Sequence, residues 1–205
     1  MISSGSVRTE VLMGTVVAIR VVADGADAAI ERAFNWFRHV ESCCSRFDPN
    51  SELMQLCGQP GRAVRASPIV FEAIQFALAV AEETQGAFDP AVGGAMAGRG
   101  FTRHYATGEA APPGGLDSHA TFRDVHLDAE GHTITLERPM QLDLGAVAKG
   151  LAVDTAAREL APFEHFVVDA GGDLYLGGRN PDGEPWSVGI GHPRLHDRME
   201  IGRAH

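Results

Sequence analysis

Long hydrophobic runs are missing from this sequence. No stretch approaches the ~20 apolar residues needed to span a bilayer, and the opening MISSGSVRTEV has neither the basic start nor the apolar segment of a secretory leader. The expectation is a cytoplasmic protein with no membrane span. Cysteine is scarce: Cys43, Cys44 and Cys57 make an odd set of 3 that gives no disulfide framework. No CxxC pair or HExxH sequence offers a zinc site. Cys43 and Cys44 read as small apolar residues at a helix end. Positive charge is in deficit, with 17 Lys and Arg against 27 Asp and Glu for a net charge of −10. That balance argues against a nonspecific nucleic-acid or anionic-membrane surface, so any cation that meets a phosphate must act locally. Internal repeats are absent, and His192 and His196, either side of Pro193, read as solvated rather than catalytic.

What is present describes a globular enzyme: 44% hydrophobic residues, 21% charged and 24 glycines in 205 residues. A chain of this length buries roughly 70% of its unfolded surface, enough for one domain over residues 1–205 without covalent staples. Glu10 to Ala23 is β-rich. Ile30, Phe34, Phe37 and Val40 then fall on one helical face that ends near Cys44. A second helix is capped by Ser67, opened by Pro68, striped by Phe71, Ile74, Leu78 and Ala81, and ended by Gly86. Gly98 to Gly115 reads as a long surface loop. Val125 to Asp128 and Thr133 to Leu136 form a hairpin, and Met140 to Leu144 is a further strand. A third helix runs from about Ala148 to Leu160, stopped by Pro162. Strands follow at Phe166 to Asp169 and Asp173 to Leu176, and Trp186 to Ile190 is the last. Strands and helices mixed without a regular βαβ rhythm indicate an α+β fold of mixed sheets with packed helices.

The most informative stretch is Asp143-Leu144-Gly145-Ala146-Val147-Ala148-Lys149-Gly150-Leu151-Ala152-Val153-Asp154. Small residues let a ligand approach the backbone, the first turn of the following helix offers unpaired N–H groups, and Lys149 adds a full positive charge. An anionic ligand suits such a junction. The same run also reads as a tight βα turn in which glycines only permit close packing.

Four further segments accompany it: Met13-Gly14-Thr15 in an early strand, SRFDPNSEL at 45–53, GAFDPAVG at 86–93, and DAGGD at 169–173 followed by PWSVGI at 185–190. Taken in this order, the set resembles the ApbE-type FAD:protein FMN transferases and spans most of positions 11–193. The resemblance implies an α+β, T-fold-like single domain with FAD as substrate and Mg²⁺ as metal. It places Met13 and Phe47 against the flavin, with Ala87, Phe88 and Asp89 as another wall. Relatives usually carry Tyr or Trp where Phe47 stands. Asp143 is implied as a direct FAD contact, Lys149 as a charge near the dinucleotide, and Ala146 as the residue whose carbonyl ligates Mg²⁺.

The reaction so implied is attack by a Ser or Thr hydroxyl of an acceptor flavoprotein on the FMN phosphorus of FAD, with release of AMP. Relatives continue through a further segment that supplies the remaining Mg²⁺ ligands, and the sequence stops at His205 before it. Weak Mg²⁺ binding and little transfer by this chain alone are the corresponding expectation. Two other readings stand beside it: an FAD pyrophosphatase that releases FMN and AMP, and an inactive FAD-binding or interaction remnant.

Overall fold

The computed structural model describes residues 5–101, 103, 108, 116–191 and 199–203. The elements are β1 (Ser6–Leu12), β2 (Thr15–Val21), α1 (Asp27–Cys44), α2 (Glu52–Cys57), β3 (Ala63–Arg65), α3 (Pro68–Glu83), α4 (Gly93–Gly98), β4 (Val125–Asp128), β5 (Thr133–Leu136), α5 (Gly145–Leu160), β6 (Phe166–Ala170), β7 (Asp173–Gly177), β8 (Ser187–Gly191) and β9 (Met199–Arg203), with single 3-10 turns at Pro90–Val92 and Phe122–Asp124. Every strand pairing among the described elements is antiparallel, so the α+β expectation holds. The chain divides into two compact units, Met1–Phe37 with Ala152–His205, and Arg38–Leu151.

The first unit is built on a four-stranded sheet in the order β1-β2-β6-β7. Alternation does what period-2 patterning requires: Val17, Ile19 and Val21 of β2 are fully buried, while Val16 and Arg20 on the opposite face point out. Ile30, Phe34 and Phe37 of α1 are fully buried, as are Ala156 and Leu160 of α5. Glu159 clamps these two helical segments, accepting from Trp36 Nε1 at 3.0 Å and from Arg32 Nε at 2.9 Å. The β-rich stretch Glu10 to Ala23 is two strands and not one, because Met13 (φ 52°) and Gly14 (φ 78°) form a left-handed two-residue turn between them. Met13 therefore sits at a hairpin tip. The opposite hairpin turns at Gly171 and Gly172, and a Cβ on Gly171 would lie 2.1 Å from Thr15 Oγ1, so the two turns crowd one end of the sheet. Trp186 to Ile190 is not the last strand, since β9 follows and pairs with β8. His192 and His196 lie outside the described residues.

The second unit packs α2, α3 and α4 with the sheet β3-β5-β4. Its fully buried residues include Leu53, Ile74, Ile134, Leu136 and Leu142. Ser67 caps α3 by accepting from the Val70 amide, Pro68 occupies its first turn, and the Gly86 amide closes it onto Ala81 at 2.8 Å, as the sequence implied. Met140 to Leu144 is not a strand. It lies instead against the 3-10 turn at Pro90–Val92 and the start of α4: the Asp143 amide donates to the Pro90 carbonyl and the Gly93 amide to the Gln141 carbonyl, too few bonds for a ladder. Helix α5 starts at Gly145, not near Ala148, because the Leu144 carbonyl already accepts from the amides of Val147 and Ala148. The expected loop from Gly98 to Gly115 falls largely outside the described residues.

Candidate functional site

The SRFDPNSEL segment is a self-bracing loop. Ser51, 1% exposed, accepts from the Met54 amide as cap of α2 and donates its hydroxyl to the Ser45 carbonyl at 2.6 Å. Asp48 closes a turn by accepting from the Asn50 amide. Capping of this kind contributes about 1 kcal/mol, and here it fixes the two residues in between, Arg46 and Phe47.

Arg46 organises what lies around it. Its guanidinium stacks over the Phe47 ring at 4.1 Å, its Nε meets Asp143 Oδ2 at 2.9 Å, and its Nη2 donates to the Phe101 carbonyl at 2.7 Å. The Arg46 side chain is only 6% exposed and that of Asp143 18%, so this ion pair is largely shielded from solvent. The other oxygen of Asp143, Oδ1, accepts from the Gly145 amide at 2.9 Å and seats the carboxylate at the head of α5. One carboxylate thus joins a buried arginine to a helix N-terminus.

The expected wall after α3 reaches the same place through backbone. Phe88 hangs on Thr84, its amide donating to Oγ1 at 3.1 Å. Asp89 Oδ1 accepts from the amides of Ala91 at 2.8 Å and Phe122 at 3.1 Å, and the Phe122 amide also reaches Oδ2 at 3.3 Å. Asp89 is therefore committed to holding two chain segments, a structural duty that its place before Pro90 did not reveal. A cavity of about 410 Å³ opens beside it, lined by Ala91, Gly94, Met140 and Gln141 among others. A larger groove of about 640 Å³ runs along the other unit's sheet past Ile19, Leu174 and Trp186; it is lined in part by the 169–173 and 185–190 segments but by none of the residues implied as FAD or metal contacts.

The structure thus brings Phe47, Asp143 and the segment carrying Asp89 together around Arg46. Ala87 is exposed and Phe88 half-buried on that segment. Ala146 and Lys149 lie on the first turn and a half of α5, three residues apart and so on one helical face. Met13 belongs to the other unit, at its hairpin tip. Arg46 itself went unassigned in sequence reasoning, although it stands between two residues that were singled out. Its signal was an arginine in a segment otherwise built for a turn and a cap.

The Mg²⁺ expectation meets a thin set of donors. Among the described residues no three His, Cys, Asp or Glu side chains are placed to share a metal ion. Helix geometry also turns the Ala146 carbonyl toward the amide of Gly150. The described residues do not by themselves fit a magnesium site, which needs several oxygens around the ion. No helix among them is long and apolar enough to cross a membrane.

Comparison with known proteins bears on family and fold. An FAD:protein FMN transferase of Treponema pallidum is 33% identical over 213 residues, covering 91% of this chain and 58% of the relative. The ApbE protein of Thermotoga maritima superposes with a TM-score of 0.84 at 26% identity, over 98% of this chain and 68% of that one. The flavin transferase ApbE of Vibrio cholerae gives a TM-score of 0.78 at 22% identity, a likeness of fold, over 98% and 68%. This chain thus spans somewhat over half the length of the Treponema relative. The model of the ApbE family matches residues 13–204, nearly the whole sequence, and the chain belongs to that family.

Proposed function

We propose that these residues form the FAD-binding part of an FAD:protein FMN transferase. The observation that carries the reading is the shielded Arg46–Asp143 pair at the head of α5, stacked on Phe47, in a chain whose net charge is −10. A flat aromatic beside a localised cation and a helix N-terminus suits a ligand that joins an aromatic ring to phosphates. Relatives that match most of this chain carry that activity in their names.

The reaction moves FMN from FAD to a Ser or Thr hydroxyl of an acceptor flavoprotein. A bond forms between the hydroxyl oxygen and the FMN-side phosphorus, and the bond from that phosphorus to the bridging oxygen breaks. AMP leaves with the bridging oxygen, and the hydroxyl proton passes to solvent. What the chain's own residues contribute is positioning: Phe47 flanks the ring system, and Asp143 is aimed by Arg46 and the Gly145 amide. Lys149 brings positive charge to the face of α5 that carries Ala146.

The test is incubation of the natural gene product containing these residues with FAD, Mg²⁺ and a Ser/Thr-bearing acceptor protein. Covalent flavin on the acceptor together with an equal amount of AMP is the expected result. AMP with free FMN and no labelled acceptor makes the protein a hydrolase, and FAD binding without AMP makes it a binding module; either result refutes transfer.

A further inference from the structure

Arg46 is the only charged side chain among the described residues that is buried. A guanidinium carries five N–H groups. Nε is spent on Asp143 and one Nη2 hydrogen on the Phe101 carbonyl, while the plane is fixed against Phe47. Nη1, with two N–H groups, is buried and has no partner among the described residues. An unsatisfied donor on a buried cation carries its full desolvation cost, and native proteins rarely leave one without a purpose.

The surroundings select the missing acceptor. Asp143 is already bonded through both oxygens, one of them at the head of α5. One turn along that helix stands Lys149, the only lysine of the sequence. An acceptor arriving here meets a guanidinium beside a helix N-terminus, both of which favour negative charge. Phosphoryl oxygens match the guanidinium fork better than a neutral carbonyl does.

We propose that Arg46 is a ligand-binding residue that donates through Nη1 to a phosphoryl oxygen of the dinucleotide. Asp143, the Phe101 carbonyl and the Phe47 ring hold the guanidinium in register for it. The inference rests on the dinucleotide reading above and adds to it a residue and a contact.

The test compares the native chain with Arg46→Met, which keeps bulk without donors, and Arg46→Lys, which keeps charge and reach to Asp143 but lacks the second nitrogen. Each is titrated with FAD, ADP and inorganic pyrophosphate, and with riboflavin and adenosine as ligands without phosphate. Folding is checked by circular dichroism and thermal melting. Arg46→Met is expected to weaken FAD and ADP binding roughly ten- to a hundredfold and Arg46→Lys by a smaller factor, with riboflavin and adenosine unchanged. If Arg46→Met does not fold, Arg46→Lys carries the comparison. Phosphate ligands bound as tightly by a folded variant as by the native chain, or riboflavin and adenosine losing as much as FAD, overturns the inference while FAD binding by the native chain keeps the dinucleotide reading. A native chain that binds no FAD overturns both.

Discussion

The amide of Gly93 donates to the carbonyl of Gln141 at 3.0 Å, and the two backbones are so close that a Cβ on Gly93 would fall 2.5 Å from that same oxygen. This contact, with the bond from the Asp143 amide to the Pro90 carbonyl, places Asp143 beside the segment carrying Asp89.

Gly93→Ala must push those backbones apart. It should destabilise the chain by about 1–3 kcal/mol and weaken FAD binding, because Asp143 moves with its segment. Gly150→Ala is the control: its Cβ meets nothing within 4 Å in the middle of α5. Removing a helix-interior glycine there should stabilise by roughly 0.5–1 kcal/mol. Urea denaturation of the two variants checks the opposite signs.

Met13 carries φ 52° at the first position of a two-residue hairpin turn, where Asn or Asp is the comfortable choice. A methionine held there is consistent with selection for its side chain at the expense of the turn. Met13→Asn should therefore raise stability, by an amount on the order of 1 kcal/mol, while lowering FAD affinity. Melting curves and FAD titrations of the same preparation decide it, and an unchanged affinity removes Met13 from the flavin contacts.

Burial pushes the thiol of Cys44 up to about 12 and that of Cys57 up to about 11, and it raises half-buried Cys43 as well. The nucleophilic thiolate is thus rare in the folded chain at pH 8. Cys44 and Cys57 should react with a thiol reagent roughly a hundredfold or more slower than in urea, where all 3 become available.

The Glu159 carboxyl is held below the usual range, first by the Trp36 indole N–H and then by Arg32. A carboxyl lowered on folding stabilises the chain above its unfolded value, about 4.3, and that stabilisation is lost as pH falls through the lower folded value. Native chain and Glu159→Gln should differ in melting temperature at pH 7 and converge in acid, once pH has fallen through the lowered folded value. A difference that persists in acid would assign the role of Glu159 to packing.

Periodic patterns made the helices and most strands legible. The Ile30, Phe34, Phe37, Val40 stripe and the Ser67-Pro68 start state a helix locally, and the structure has both. What escaped depends on partners distant in sequence. Met140 to Leu144 has strand composition, yet its neighbour is a 3-10 turn about fifty residues earlier, and no local pattern encodes that pairing. Helix α2, with its six residues, is too short for a periodic signal, although Ser51 marks its cap. In the site, the family resemblance pointed to Phe47 and Asp143. The arginine that joins them was legible only as charge, because its burial and its unpaired nitrogen are properties of the folded chain.

The most direct test of the account is a side-by-side titration of the folded chain with FAD and FMN, followed by flavin fluorescence. A site that takes ring and pyrophosphate together should bind FAD at least tenfold more tightly than FMN, since FMN ends at a single phosphate. Equal affinities, or binding of neither flavin by well-folded protein, would contradict it.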